Sequence, residues 1–176
     1  MTDIFAHRAG RRHISQGEYA IDGGETATIT TLLGSCVAAC IWDPGRQIGG
    51  MNHVLFVDQT RNASEAFGFG VNSMELLLNG LYRLGARRGQ LKAKVFGGSH
   101  LLRKPSDAGQ RNAAFVTDFL RDEGIDIAAK DTGGTQARRV EFWPGTGRAR
   151  VKLVTDTELP EDGKIARVGP SDPILF

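Results

Sequence analysis

The chain has 176 residues and a mass of 19.0 kDa, enough for one domain with one sizeable core, and 40% of its residues are apolar. Its 22 basic and 20 acidic residues are spread along the sequence and leave a net charge of +2, so no dense basic block suggests a nucleic-acid ligand. The apolar runs fall short of the about 18 residues of a membrane-spanning helix, and no apolar signal segment opens the chain. Cys36 and Cys40 form neither a disulfide framework nor a zinc spacing, which favours the reducing cytoplasm.

The first predicted elements are strands. Residues 1–16 lack hydrophobic periodicity and are predicted to be a flexible leader, followed by a strand near residues 19–21. The β-branched run TATITTLL predicts a second strand that ends in the turn Gly34–Ser35. The apolar runs VAACIW and MNHVLFV follow, and the DPGR sequence between them predicts a β-hairpin.

Two helices are predicted in the rest of the chain. Apolar residues three and four apart between Val71 and Leu84 predict a helix that ends at Gly85, and a similar pattern predicts a helix over residues 112–123. Further strands are predicted over residues 91–95, 125–130, 140–143 and 150–154.

These elements define the expected fold and its boundaries. Residues 17–154 are predicted to form a single β-rich α/β domain, a layered sandwich of mixed strands with two or three helices. Residues 155–176 are predicted to be an irregular C-terminal tail. The elements do not follow strict βαβ alternation and no glycine-rich phosphate loop opens a helix, so a dinucleotide-binding fold is not expected.

The predicted hairpin carries the two residues that are the best candidates for catalysis. If its turn is centred on Pro44–Gly45, Cys36 lies opposite His53, and opposed Cβ atoms are about 4.5–5.5 Å apart. A thiol and an imidazole at that distance can act as a nucleophile and its base. A bulge at Gly49–Gly50 would change this register. The alternative is structural, since buried cysteines and histidines are commonly core residues, and Cys40 is assigned that role.

The Gly34–Ser35 turn favours a catalytic role for the cysteine that follows it. Such a turn can leave successive backbone N–H groups unpaired and pointing outward, as stabilisation of an oxyanion requires. Gly34 and Ser35 are therefore the candidate oxyanion and substrate-binding residues.

Residues near the second half of the domain are more ambiguous. Asp131, Gly133 and Gly134 could border a substrate groove, although a turn alone explains all three. Arg138 and Arg139 are adjacent in a predicted strand, so they point to opposite faces and at most one can serve a site.

The segment TLLGSCVAACIWDPGRQIGGMNHVLF resembles the CheD family of chemoreceptor glutamine deamidases, whose hallmark is a Gly-Ser-Cys turn followed by a Gly-Gly-Met-Asn-His run. The resemblance continues in order through FGFGVNSMELLLNGLYRLGA, KVFGGSHLL, GQRN and DTGGTQARRVEF, and covers residues 17–154. It implies that Cys36 is the nucleophile, His53 the general base and Thr30, six residues before the cysteine, the residue that orients the imidazole.

The resemblance also implies an activity and its partners. The expected enzyme is a cysteine-dependent protein-glutamine glutaminase that passes through a thioester and releases ammonia, with no metal or organic cofactor. Its expected substrates are glutamines of methyl-accepting chemotaxis receptors. Some members of the family also hydrolyse glutamyl methyl esters, and some bind the phosphatase CheC. The alternative is a non-catalytic module that docks a CheC-like phosphatase or a receptor, and a thiol protease is a weaker third hypothesis.

Overall fold

The computed structural model describes residues 10–55, 63–101, 106–155 and 173–176, whose strands form two five-stranded mixed sheets. Sheet A has the order β1-β3-β8-β9-β10, formed by Arg11–His13, Thr28–Leu33, Ala137–Trp143, Arg148–Val154 and Ile174–Leu175. Sheet B has the order β2-β5-β4-β6-β7, formed by Tyr19–Gly23, Ile48–Asn52, Val37–Asp43, Lys92–Gly97 and Asp126–Thr132. The pairs β1–β3 and β6–β7 are parallel and the other pairs are antiparallel.

Two helices, α1 (Ala63–Arg83) and α2 (Ala108–Asp122), pack against sheet B. Their apolar faces, with Leu77 and Leu120 fully buried, form one core with the helix-facing side of that sheet. Burial of each such side chain contributes about 1.5–3 kcal/mol relative to exposure. Helix α1 begins eight residues before the predicted start at Val71, in a stretch where the described side chains are mostly exposed and carry no apolar period.

The central strand β4 separates two cores, which confirms the predicted layered sandwich. Alternate β4 residues such as Ile41 face the helices, and those between them, such as Cys40 and Trp42, face sheet A. This alternation follows the period of two of a β-strand. The layers are therefore helices, sheet B and sheet A, and Cys36 lies in the core between the two sheets.

The two ends of the described chain are more ordered than predicted. Arg11–His13, in the predicted leader, form an edge strand of sheet A, and Ile14 is buried beside it. Ile174–Leu175, in the predicted irregular tail, pair with β9. Both strands are short with exposed side chains, so they lack the apolar alternation from which a strand is predicted. Residues 1–9 and 156–172 lie outside the described residues.

Candidate active site

Thr31 holds the imidazole of His53 in one tautomer. The Thr31 hydroxyl donates to the carbonyl oxygen of Ile14 at 2.7 Å and lies 2.8 Å from His53 Nδ1. A hydroxyl has a single hydrogen and a carbonyl can only accept, so His53 Nδ1 must carry the hydrogen and donate to Thr31. The neutral ring then has an unprotonated Nε2, which is the nitrogen that can accept a proton.

Thr30, which was predicted to orient His53, does not contact its imidazole. Its Oγ1 lies 3.3 Å from Nδ1 of His13, with which it pairs in register across β1 and β3. Successive side chains of a strand point to opposite faces, so Thr31 faces sheet B together with Ile29, and Thr30 faces away from it. The count of six residues before Cys36 therefore selects the wrong neighbour.

The hairpin register also differs from the predicted one. Cys40 pairs with Met51 and Val37 with Val54, so His53 lies opposite Ala38 rather than opposite Cys36. The turn over residues 44–47 is centred between Gly45 and Arg46, one position later than predicted. The Asp43 carboxylate accepts from the backbone N–H groups of Gly45 and Arg46, and Gln47 has a φ of 54° before β5 begins.

The corrected register leaves the thiol and the imidazole on the same face. A shift of two positions preserves the alternation of side chains, so Cys36 and His53 become diagonal neighbours, about 7–8 Å apart between their Cα atoms in a regular ladder. Among the described residues no hydrogen bond joins the two side chains. The close approach predicted for them remains a prediction.

Burial makes both groups neutral at pH 7. Cys36 is 8% exposed and His53 is 6% exposed. Burial raises the pKa of Cys36 to about 11, and the backbone N–H of the same residue offsets this in part. Burial lowers the pKa of His53 to about 4, with a further lowering by His13 and an opposing effect of Glu18. The resting pair is therefore a thiol and an imidazole rather than a thiolate and an imidazolium.

The Gly34–Ser35–Cys36 turn is held by its carbonyl groups. Gly34 O accepts from the backbone N–H of Ser99 at 2.9 Å, and Ser35 O accepts from Asn112 Nδ2 at 2.7 Å. Cys36 O accepts from the N–H of Gly98 at 2.8 Å. In the described segments, the N–H groups of Ser35 and Cys36 donate to no other residue. They are available for an external acceptor next to the thiol.

Gly97 and Gly98 make the close approach behind the cysteine possible. Their φ angles are 108° and 66°, in the region that favours glycine. A Cβ atom on Gly97 would lie 2.3 Å from the carbonyl oxygen of Cys36. Any side chain there would displace the Cys36 backbone.

Arg138 supports this turn from the interior, whereas the sequence left open which of Arg138 and Arg139 could serve a site. It is buried and binds both carboxylate oxygens of Asp131 at 3.0 and 3.1 Å, the Ser99 hydroxyl at 2.7 Å and the Gly133 carbonyl at 2.8 Å. Since Ser99 donates to Gly34, the arginine positions the candidate oxyanion turn indirectly. The only signal was a charged residue on the inward side of an apolar strand.

Two cavities border the region. One of about 200 Å³ is lined by His53 and by Tyr19, Phe69 and Leu76, whose apolar side chains are partly exposed around it. The other, of about 630 Å³, is lined by Gly98, the loop that contains Gly133 and the first turns of α2, and does not include the imidazole. The smaller cavity therefore gives the more direct route to the candidate base.

Residues 57–153 match the family model for CheD chemotactic sensory transduction. The probable chemoreceptor glutamine deamidase CheD of Caulobacter vibrioides (strain NA1000 / CB15N) is 49% identical over 157 residues, which cover 88% of this chain and 84% of the relative. That of Rhizobium rhizogenes is 48% identical over 158 residues, which cover 88% of this chain and 86% of the relative. The chain belongs to the CheD family.

These alignments extend beyond the family-model match to the candidate site. A stretch covering 88% of the 176 residues spans positions 36 and 53 wherever it begins. Among solved structures, the Bacillus licheniformis hypothetical protein YfiH has a TM-score of 0.42 and 11% identity, with 64% of this chain and 49% of that chain covered.

The described segments contain neither a membrane-spanning helix nor a metal-binding cluster. No helix in these segments is both long and apolar enough to cross a membrane. No group of three or more histidine, cysteine, aspartate or glutamate side chains in the same segments is arranged to hold a metal ion.

Proposed function

We propose that this chain deamidates glutamine side chains of methyl-accepting chemotaxis receptors, as a protein-glutamine glutaminase. Membership of the CheD family and the names of its relatives support the receptor as substrate. The hydrogen bond from His53 Nδ1 to Thr31 is the observation that carries the chemical part, because it leaves Nε2 free to accept the thiol proton of Cys36. We expect the enzyme to act in the cytoplasm, where receptor glutamines of this kind are exposed.

In the first half of the reaction, His53 Nε2 takes the Cys36 proton as the sulfur attacks the carboxamide carbon of the substrate glutamine. Because the thiol pKa is near 11 and the imidazole pKa near 4, the ion pair does not accumulate in the free enzyme. Proton transfer must therefore accompany formation of the C–S bond. The imidazolium then protonates the nitrogen of the former carboxamide. Ammonia departs, and the substrate remains bound to Cys36 as a thioester.

In the second half, His53 accepts a proton from water, and the resulting hydroxide attacks the thioester carbon. The C–S bond breaks, the His53 imidazolium returns its proton to the departing sulfur, and the substrate carries a glutamate. Thr31 accepts the Nδ1 hydrogen throughout, so the imidazolium formed in each half is stabilised by a neutral hydroxyl rather than by a carboxylate. We therefore infer that Thr31 has the orienting role expected of Thr30.

The negative oxygen of each tetrahedral intermediate is assigned to the backbone N–H groups of Ser35 and Cys36. Removal of one such donor commonly costs about 10²–10³ in kcat. Gly34 contributes by its small size, since a Cβ atom there would lie 2.9 Å from Leu101 Cδ1. Oxyanion stabilisation by this turn is a proposal supported by its unpaired donors.

The cavity beside His53 suits the side chain of a folded substrate. Its volume of about 200 Å³ can hold a carboxamide and its methylenes, and the apolar rim, with Phe69 61% exposed, can contact a helix surface. A glutamine on such a helix needs no local unfolding to reach the site. Asparagine is one methylene shorter, and a misplacement of that size can reduce the rate about 100-fold.

Mass spectrometry of a cytoplasmic receptor fragment tests this proposal. Wild-type protein should add about one mass unit per modified glutamine, and Cys36→Ala should add none. Cys40→Ala is the matched control, because it removes the buried sulfur that faces the same core without touching the candidate pair. Activity that survives Cys36→Ala, or cleavage of the fragment, would reject the mechanism.

Two finer properties belong to the same site. A glutamyl methyl ester could replace the carboxamide, with methanol as the leaving group, and a fragment methylated at defined glutamates would reveal this as loss of the methyl mass. A CheC-type partner is proposed to bind over the cavity beside His53. Competition between purified CheC and the receptor fragment would test this, and a ternary complex with unchanged activity would contradict it.

A further inference from the structure

The outer face of sheet A concentrates positive charge. Residues such as Val140 and Val151 point into the core, so their neighbours on β8 and β9 point outward. The outward cations of the face are Arg11, Arg139, Arg148, Arg150 and Lys152, and Glu141 is the acidic residue among them. Counted over the described residues, the face therefore carries a net charge of +4, whereas the whole chain carries +2.

Three of the five cations, Arg11, Arg148 and Arg150, make contacts within the face. Glu141 forms ion pairs with Arg11 at 3.9 Å and with Arg150. Arg148 and Arg150 lie over the ring of Trp143, at 5.1 and 5.8 Å from its centroid. Arg150 nevertheless remains 46% exposed, so its guanidinium can also meet a carboxylate of a partner.

Arg139 is the unusual member of the face. Its Nε is shielded from solvent, and no partner for that atom exists among the described residues. It lines a concavity of about 220 Å³ together with Arg11, Glu141, Arg150 and Lys152. A buried donor without an acceptor is costly, and an anionic group in this concavity would supply the acceptor.

The basic face ends beside the candidate active site. Arg139 pairs with Leu32 on one side and with Lys152 on the other. Leu32 is followed within two residues by the Gly34–Ser35–Cys36 turn. A partner that lay on this end of the face would therefore lie beside the Gly34–Ser35–Cys36 turn.

We propose that the outer face of sheet A docks a carboxylate-bearing surface of the receptor segment that carries the target glutamines. This proposal rests on the proposed function. Arginine forks bind carboxylates in a bidentate manner, and Glu141 within the cluster disfavours a continuous row of phosphates. Each turnover converts a neutral glutamine into a glutamate, so the substrate surface becomes more negative as the reaction proceeds. The docking face should therefore bind partly deamidated receptor more tightly than unmodified receptor.

Calorimetry with the inactive Cys36→Ala protein tests the docking step without turnover. Two receptor fragments are compared, one with glutamine and one with glutamate at the target positions. The glutamate fragment should bind at least about threefold more tightly at low salt, and raising NaCl from about 50 to about 200 mM should weaken its binding roughly tenfold. Equal affinities, or affinity independent of salt, would overturn the proposal.

A pair of charge-neutralising variants locates the interaction. Arg139→Gln with Lys152→Gln should weaken binding roughly tenfold. Arg88→Gln with Arg121→Gln is the matched control, since it removes two exposed cations from the helix layer, and its binding should stay within about twofold. Unfolding midpoints verify that the variants fold. An equal loss in both pairs would overturn the proposal, as would patch-dependent binding to phosphatidylserine vesicles with unchanged fragment binding.

The proposed function and the docking proposal fail separately. If wild-type protein leaves the fragment's glutamines unchanged while the binding pattern is as expected, the deamidase function fails and the docking surface stands. If wild-type protein deamidates the fragment but binding ignores salt and the patch variant, the docking surface fails and the enzyme stands.

Discussion

Replacement of Thr31 by valine removes the hydroxyl that fixes the His53 tautomer while keeping the shape of the side chain. Two buried hydrogen bonds are lost, at 2.7 Å to the Ile14 carbonyl and at 2.8 Å to the imidazole. Each group left without a partner costs about 1–3 kcal/mol, so we expect Thr31→Val to lower the free energy of unfolding by about 2–6 kcal/mol. The tautomer with hydrogen on Nε2 also becomes accessible. If that costs about 1–2 kcal/mol of transition-state stabilisation, kcat falls roughly 5- to 30-fold.

The assay is release of ammonia from a receptor fragment, combined with urea unfolding and nitrogen NMR of the histidine ring. Thr30→Val is the matched control, because Thr30 bonds the exposed His13 at 3.3 Å on the opposite face. We expect its kcat to change by less than about twofold. A larger loss of activity in Thr30→Val than in Thr31→Val, or wild-type His53 with hydrogen on Nε2, would refute the reasoning.

Three other changes have expected outcomes. Between about pH 6.5 and about pH 4, His53 is protonated in the unfolded chain but not in the folded one, where it is buried. The free energy of unfolding should therefore fall by about 3 kcal/mol as the pH drops through this range. Urea unfolding should show this fall, and His53→Gln should remove it. Cys36→Ala should abolish deamidation and keep the fold, whereas Cys40→Ala should stay active and lose about 1 kcal/mol; exchanged phenotypes would identify the other sulfur as the nucleophile. Gly97→Ala should lower the free energy of unfolding by about 2–5 kcal/mol in thermal unfolding, because its Cβ meets the Cys36 carbonyl. Gly89→Ala has the same backbone strain but open space around its Cβ, and it should lower the free energy of unfolding by about 1 kcal/mol. Equal losses would contradict the packing argument.

Elements with a strong apolar pattern were predictable from the sequence. The apolar run of β4 and the three- and four-residue spacing of α1 each reflect burial of one or two faces, and both elements are present. The edge strands β1 and β10 were missed because they are held mainly by backbone hydrogen bonds, which leave no pattern in the side chains.

The site was predictable only as far as side-chain alternation determines it. Cys36 and His53 share a face in both the predicted and the observed register, because the error was an even number of positions. The threonine could not be chosen from the run TITTLL, in which adjacent β-branched residues suit either face of a strand. Asn112 and Arg138 act through contacts between residues far apart in the chain, and no local pattern encodes those distances.

The hydrogen bond between Thr31 and His53 connects the two sheets, since Thr31 lies in β3 of sheet A and His53 directly follows β5 of sheet B. In the proposed mechanism, the base and the thiol are therefore attached to one layer of the sandwich, and the residue that fixes the tautomer belongs to the other. We accordingly expect a separation of the sheets by about an ångström or two to abolish activity while far-ultraviolet circular dichroism still shows native strands. Mild denaturant, or a ligand that binds between the sheets and separates them, should therefore abolish activity well before the chain unfolds.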